Sequence, residues 1–528
     1  MQLSYNPVVL IVLDGFGIAT PGQSNAISLS SAPFYKKLIG SYPTMLLEAS
    51  GVNVGLPWGE VGNSEVGHLN IGSGVLHYQS LPRIDKEIED GNFFKNENLL
   101  AAVQKAVQNK SKIHLIGLLG NGGVHAHQRH LEALIKLCKE NKLKKQTFLH
   151  LFLDGRDSAR DSGAGFLEDI MKFCKKQKCG EVASITGRIF GMDRNKNWDK
   201  TSQAYSAIAE GKGAISTTDP LKTLKESYQN QIFDEEFPPC AVVDKKNQPL
   251  AMVSEEDAVI FFNFRADRAV QLTQAFVEPN FDKFQRNFID GLTFVTLTDY
   301  KTGLPVKVSY PRQTIANPLA KVFSDNGFKQ LHIAETEKYA HVTYFLNGQI
   351  EEKFPGEDRM LIPSPLVDSY DKQPEMSANI VTDEILKALA SDKYQFMAIN
   401  YANPDMVGHT GNLQATVSAV NAVDSCLEKV ISAILAKQGM AFIVGDHGNA
   451  EELVNLQTGK IDKEHSIYPV PFIAVSNKHA GQTIQTGENG DLSLNSPLGI
   501  LSDVAPTILA QVGIPPAPEM TGTNLLQM

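Results

Sequence analysis

Six apolar residues in succession, Val8-Val9-Leu10-Ile11-Val12-Leu13, stop at Asp14, and apolar runs ending in polar residues recur along the chain. Runs of about four to eight apolar, often β-branched residues alternate with stretches of helical periodicity. That pattern predicts largely parallel sheets with helices on both faces, so the expected class is α/β and doubly wound. In such sheets ligands bind beyond the carboxyl ends of the strands, which makes the polar residue after each run the informative one.

These ends fall into two groups. Val8 to Leu13 ends at Asp14, Phe396 to Tyr401 leads to Asp405 and His409, and Ala441 to Val444 ends at Asp446-His447. Between them, Ile113 to Leu119 leads to His125, Phe148 to Leu153 to Asp154-Gly155-Arg156-Asp157, and Val182 to Ile185 to Arg188. Val259 to Phe264 leads to Arg265 and Arg268, and Phe294 to Leu297 to Thr298-Asp299. The first group carries metal-ligand chemistry and the second anion-binding chemistry. The polar, proline-bearing segments Tyr78-Gln79-Ser80-Leu81-Pro82 and Ser309-Tyr310-Pro311-Arg312-Gln313 read as exposed hinges between them. The expectation is a discontinuous outer domain, residues 1–79 and 312–528, with a second α/β domain inserted at residues 80–311.

A chain of 528 residues is too long for one ordinary core, in keeping with two domains. Its net charge of −10 offers no general pull toward nucleic acid or an anionic membrane, so a phosphate pocket must gather its arginines locally. The first apolar run is too short to span a bilayer and lacks the basic flank of a signal peptide. Cys138, Cys174, Cys179, Cys240 and Cys426 are odd in number and lack CxxC spacing, which reads as reduced thiols in a cytoplasmic protein.

The tract Gly59-Glu60-Val61-Gly62-Asn63-Ser64-Glu65-Val66-Gly67-His68 sets one serine among glycines ahead of a helix-like stretch. Glycines allow backbone N–H groups to approach an anion, and a helix N-terminus adds a favourable field. Alone, Ser64 reads as an N-cap. Asp14, the i, i+4 pair Asp405 and His409, Asp446-His447 and the loop residue His465 change that reading. Together they form a set of carboxylates and imidazoles suited to two divalent ions beside a nucleophile. Mixed ligation of this kind favours manganese, zinc, iron or cobalt over calcium.

In the inserted part, Arg156, Arg188, Arg194, Arg265 and Arg268 suit a substrate bearing a carboxylate and a phosphate. Asp157 among them can hold hydroxyls and act as an acid/base. Lys338, after the apolar run Leu331-His332-Ile333, can stabilise phosphoryl oxygens or protonate a departing alkoxide.

GNSEVGH, DxxxH, a strand-ending DHG and a later histidine, from Leu13-Asp14-Gly15-Phe16-Gly17 almost to the C-terminus, resemble in kind and order the cofactor-independent phosphoglycerate mutases of the alkaline-phosphatase superfamily. The resemblance implies that Asp14, Ser64, Asp446 and His447 hold one manganese ion, and Asp405, His409 and His465 the other. It implies catalytic roles for Ser64 and Lys338, and substrate binding by His125, Arg156, Asp157, Arg188, Arg194, Arg265, Arg268 and Lys338. The implied reaction is an interconversion of 3-phosphoglycerate and 2-phosphoglycerate through phosphoserine, without 2,3-bisphosphoglycerate, in glycolysis and gluconeogenesis. The inserted domain is expected to shield that phosphoserine from water, which separates a mutase from a phosphatase. A phosphopentomutase is disfavoured by the serine motif and the arginine-rich insertion. The expected partner is a small-molecule phosphoglycerate, with no nucleic acid and no membrane, and the chain is expected to be a cytoplasmic monomer.

Overall fold

The computed structural model describes residues 3–455, 458–487 and 491–527. The chain divides into two compact units, Met1–Gln79 with Gln313–Met528, and Ser80–Arg312. Each is built on an eight-stranded sheet, so the α/β class expected from the hydrophobic pattern is observed.

Across the first sheet the strands run Glu357–Ile362, Gln330–Glu335, Phe396–Tyr401, Val8–Leu13, Met440–Gly445, Val470–Ser476, Thr44–Glu48 and Gly499–Ile500. Val8–Leu13 is parallel to both of its neighbours. All six of its residues are buried, as a strand covered on both faces requires. Alternate residues serve opposite layers. Val9, Ile11 and Leu13 pack with the helices Pro33–Ile39, Ala378–Ala390 and Leu413–Ala436. Val8, Leu10 and Val12 pack with Leu319–Asp325 and Val504–Val512. The register pairs Leu13 with both Tyr401 and Gly445, so the three central strands finish level. Asp14, Asp405 and Asp446 follow those three ends.

The second sheet runs Lys307–Val308, Thr293–Thr296, Ala258–Phe261, Ile113–Leu119, Thr147–Leu153, Glu181–Gly187, Cys240–Val242 and Ile215–Thr217. Its central strands are parallel, and their carboxyl ends lead to Arg265, His125, Asp154 and Arg188. The crossing segment expected at residues 78–82 contains the division between the units at Gln79 and Ser80, and its second half, Ser80-Leu81-Pro82, is the opening turn of the helix Ser80–Glu89, with Pro82 buried. Proline is tolerated in a first helical turn, where its missing N–H has no intrahelical acceptor to lose. All five cysteines are free and buried. No helix among the described residues is long and apolar enough to cross a membrane.

Phe442 is fully buried in the strand Met440–Gly445, its ring 6.0 Å from that of Phe472. Phe442→Ala is expected to destabilise the first unit by about 3–5 kcal/mol, the cost of an unfilled aromatic cavity. Phe442→Leu should cost clearly less. Urea unfolding curves of the two variants check this, and equal midpoints would contradict it.

Candidate active site

Ser64 is the first residue of the helix Ser64–Ser73. Its N-cap is Asn63, whose side chain accepts from Val66 N at 3.0 Å, so the capping role open to Ser64 in the sequence belongs to its neighbour. The serine hydroxyl is thereby free for other partners. Its Oγ donates to Asp14 Oδ1 at 3.1 Å, lies 2.9 Å from His447 Nε2, and accepts from Lys338 Nζ at 2.7 Å.

Lys338 closes the turn Thr336–Lys338 after the strand Gln330–Glu335, and only 4% of it is exposed. Besides Ser64, its ammonium donates to Asp14 Oδ1 and to Asp405 Oδ2, each at 2.6 Å. Three N–H donors thus meet three oxygens. Burial works against the charge of Lys338, but Asp14 and Asp405 outweigh it and push the ammonium well above its ordinary range. Burial likewise opposes ionisation of Asp14 and Asp405, yet Lys338 holds both carboxyls well below the usual carboxylate range.

The three histidines expected as ligands share one arrangement. His465 Nδ1 is 2.8 Å from Gly62 O, His409 Nδ1 is 2.7 Å from Lys463 O, and His447 Nδ1 is 3.2 Å from Gly448 O. Each Nδ1 therefore carries a proton directed at a backbone carbonyl, and each Nε2 is the nitrogen turned to the centre of the site, open to a metal once it holds no proton. The helical turn Asn403–Gly408 places His409 Nε2 3.3 Å from Asp405 Oδ1. His465 Nε2 stands 3.3 Å from the same oxygen and 3.1 Å from His409 Nε2. Two lone pairs so close require a cation or a shared proton between them. A bridge between Gly448 and Ser466 sets the His465 ring 4.0 Å from that of His447.

Glycines make this approach feasible. A Cβ on Gly62 would sit 2.2 Å from Ala49 O and 2.9 Å from His447 Cβ. Gly15 has φ +67°, and a Cβ there would sit 2.7 Å from Asp405 Cα.

The donor set fits divalent ions. Asp405, His409 and His465 form one group with ligand atoms within 4.8 Å of one another; Asp14, Asp405 and His447 form a second, and Asp14, His68 and Asp446 a third. Asp446 Oδ2 is buried without a hydrogen bond among the described residues, though it lies 3.2 Å from His68 Nδ1 and 3.6 Å from His447 Nε2, and a bound cation would satisfy it more fully. Oxygen and imidazole donors together suit first-row transition ions. Without an ion, burial disfavours the His447 cation, but Asp446, then Asp14 and Asp405, raise its pKa to about 10.

Several residues here escaped the sequence reading. Asn400 Nδ2 donates to Asp14 Oδ2 at 2.7 Å and lies 3.0 Å from His68 Nε2, which must then accept. The His68 proton consequently sits on Nδ1, 2.9 Å from Ser64 O. Glu451 accepts from Gly17 N and Asn449 N, each at 2.9 Å, and from Ser466 Oγ, tying together three loops that carry candidate ligands. Asn449 Nδ2 also donates to Asp405 Oδ1 at 2.8 Å. Two signals were available: His68 ends the GNSEVGH tract, and Asn400 is a lone amide in an apolar strand.

The second unit gathers the arginines around carboxylates. Asp154 and Asp157 both pair with Arg188, the latter at 2.7 Å, and Arg188 is almost wholly buried. Asp154 Oδ1 also accepts from Asp157 N at 3.1 Å. Asp267 pairs with Arg194 at 2.7 Å and with Arg265 at 3.3 Å. His125 lies 3.6 Å from Asp267 and 4.0 Å from Asp157. Burial and then Arg188 push its pKa down to about 4, so its imidazole is neutral at neutral pH. Arg268 donates to Met192 O at 3.1 Å, and Arg156 pairs with Glu235 at 3.5 Å. Burial, then Arg188, Arg194 and Arg156, press the Arg268 guanidinium below its ordinary range, as converging cations do. Asp154 stands at a strand end in the sequence, whereas Asp267 is inconspicuous there, since an acid beside arginines reads as their partner.

A family model described as BPG-independent PGAM N-terminus matches residues 84–302. A 2,3-bisphosphoglycerate-independent phosphoglycerate mutase from Chloroflexus aurantiacus is 45% identical over 541 residues, covering 98% of each chain. Enzymes of the same name from Clostridium botulinum and Moorella thermoacetica are each 46% identical, covering 99% and 100% of this chain, and 100% and 99% of their own. The crystal structure of a Leishmania mexicana phosphoglycerate mutase at low cobalt concentration aligns over 99% of this chain and 98% of its own, with 27% identity and a TM-score of 0.53. The chain belongs to the 2,3-bisphosphoglycerate-independent phosphoglycerate mutases, enzymes that interconvert 3-phosphoglycerate and 2-phosphoglycerate.

Proposed function

We propose that Ser64 is the nucleophile of two successive phosphoryl transfers. Its Oγ takes the phosphoryl group from 3-phosphoglycerate, and the freed glycerate turns and accepts that group on its 2-hydroxyl. The observation that carries this reading is the environment of Ser64 Oγ, which meets Lys338 Nζ, Asp14 Oδ1 and His447 Nε2 within 3.1 Å at the head of a helix. Lys338 keeps its proton and hydrogen-bonds the serine oxygen, stabilising first the alkoxide and then the transferring oxygens.

Asp14, Ser64, Asp446 and His447 would hold one divalent ion, and Asp405, His409 and His465 the other, with manganese as the metal in this reading. When bound, such ions lower the pKa of the serine hydroxyl and neutralise charge on the phosphoryl group. The Leishmania enzyme's crystal structure at low cobalt concentration supports a divalent metal here.

In the second unit His125, Arg156, Arg188, Arg194, Arg265 and Arg268 grip the carboxylate and hydroxyls of glycerate. Asp157 exchanges a proton with the hydroxyl that attacks or departs. The groups of the inserted domain, residues 80–311, retain glycerate between the two transfers, so that phosphoserine has its acceptor at hand in competition with water. No 2,3-bisphosphoglycerate is needed as donor. The reaction is read as a step of glycolysis and gluconeogenesis, carried out by a cytoplasmic monomer.

Ser64→Ala is expected to lower isomerisation at least about a thousandfold in an assay coupled to enolase without bisphosphoglycerate, since loss of a nucleophile removes the covalent route. Activity within tenfold of the unaltered enzyme would remove Ser64 from the mechanism. Complete chelation of metal should abolish turnover, and added manganese should restore it. Turnover that survives chelation sinks the two-metal reading.

Lys338→Met leaves Asp14 and Asp405 buried without their ammonium. The expected cost to the metal-free protein is about 3–5 kcal/mol, the penalty for orphaning buried charges. The loss should shrink when metal is bound, which thermal unfolding with and without manganese measures.

The raised His447 pKa also sets a pH dependence. A value near 10, against an ordinary 6.5, means that its proton stabilises the metal-free fold fully below about pH 6.5. That contribution disappears as pH rises through about 10. Metal must expel this proton, so affinity should fall by about tenfold per pH unit on acidification for each proton displaced. Calorimetric titration with manganese in buffers of different ionisation enthalpy reads the proton release directly. A buffer-independent enthalpy would contradict it.

A further inference from the structure

Asp267 meets three of the groups assigned above to substrate. Its Oδ2 accepts from Arg194 Nη1 at 2.7 Å, while its Oδ1 lies 3.3 Å from Arg265 Nε and 3.6 Å from His125 Nδ1. Arg194 comes from the loop beyond the short helix Arg188–Gly191, Arg265 follows the strand Ala258–Phe261, and His125 follows Ile113–Leu119. One carboxylate therefore joins three separate strand-end loops.

The Arg194 and Arg265 side chains are about half exposed. Long cationic side chains in that state sample many rotamers unless an anchor restricts them. A lone surface ion pair contributes little and engages one partner. Asp267 engages two guanidiniums and an imidazole. Its Oδ1 and His125 Nδ1 are both buried yet without a hydrogen bond among the described residues, and His125 itself is 4% exposed. Asp157, paired with Arg188, already supplies a carboxylate for the opposite nitrogen of His125. The charge of Asp267 is thus not needed to neutralise the histidine, which is uncharged at neutral pH.

We infer that Asp267 is a positioning residue that holds the guanidinium forks of Arg194 and Arg265 in the geometry that retains glycerate between the two phosphoryl transfers. The inference rests on the phosphoserine reading. Retention matters because phosphoserine left without its acceptor meets water. A water oxygen attacks phosphorus, the P–Oγ bond of Ser64 breaks, Oγ regains a proton and inorganic phosphate departs. Loose arginines therefore convert part of the isomerisation into hydrolysis. A general loss of folded protein scales both outcomes together.

Asp267→Asn keeps the side-chain size and removes the charge. The full-length, manganese-loaded enzyme is assayed for isomerisation with coupled enolase, and for inorganic phosphate release from 3-phosphoglycerate without it. The expected result is kcat/KM for isomerisation lower by about tenfold or more, the scale of a lost charged hydrogen bond, and phosphate released per isomer formed higher by a similar factor. Asp267→Glu should recover most of both. Unchanged isomerisation and an unchanged phosphate ratio would overturn the inference. So would isomerisation that falls together with the thermal midpoint while the ratio stays that of the unaltered enzyme. Ser64→Ala measured alongside separates the two levels of claim. If it still isomerises, the phosphoserine reading fails and takes this inference with it; if it is inactive while Asp267→Asn behaves normally, only the inference fails.

Discussion

The first unit is organised around one ammonium group. Lys338 lies among Asp14, Asp405 and Ser64 with almost no exposure to water, and its three donors are all used. Two carboxylates at the ends of neighbouring parallel strands repel one another in a medium of low dielectric, so such a site assembles only with positive charge at its centre. Lysine supplies a permanent share of that charge. The rest is left to protons or metal ions, which is why His447 holds a proton so firmly without an ion.

The sheet determines where that conflict occurs. Leu13, Tyr401 and Gly445 lie in register, so the chain leaves three adjacent strands at the same height. Side chains placed immediately beyond them have little choice but to meet. The second unit uses the same geometry with a mixed set: its parallel strands lead to Arg188 and Arg265 beside Asp154 and the neutral His125, and the carboxylates Asp154, Asp157 and Asp267 pair with Arg188, Arg194 and Arg265. One unit gathers carboxylates around a buried ammonium, and the other gathers guanidiniums around carboxylates.

Much of this is legible in the sequence alone. Asp14 and Asp446 can be found because a buried parallel strand is a continuous apolar run, and the acid that follows it is conspicuous; Asp405 stands four residues past its strand. His409 can be paired with Asp405 because a helical turn fixes that spacing. What stays hidden depends on contacts without a local signature. Asn400 points from inside a strand to Asp14 and His68, an arrangement only the pairing of distant segments can reveal. Asp267 reads as a neighbour of its arginines when its reach extends to a third loop. Pro82 misleads in the other direction, since a proline near a boundary reads as linker when it can equally open a helix.

The three histidines that fix their Nδ1 protons on Gly62, Lys463 and Gly448 carbonyls have a consequence for how such a centre can change over time. A main-chain oxygen is present whatever residue occupies its position, so substitutions beneath those rings leave their tautomers and tilt intact. What would rotate them is an insertion or deletion that reroutes the backbone. The orientation of these rings is in that sense an inheritance of loop length more than of residue identity. Its drift should be sought in the spacing between motifs before it is sought in the motifs themselves.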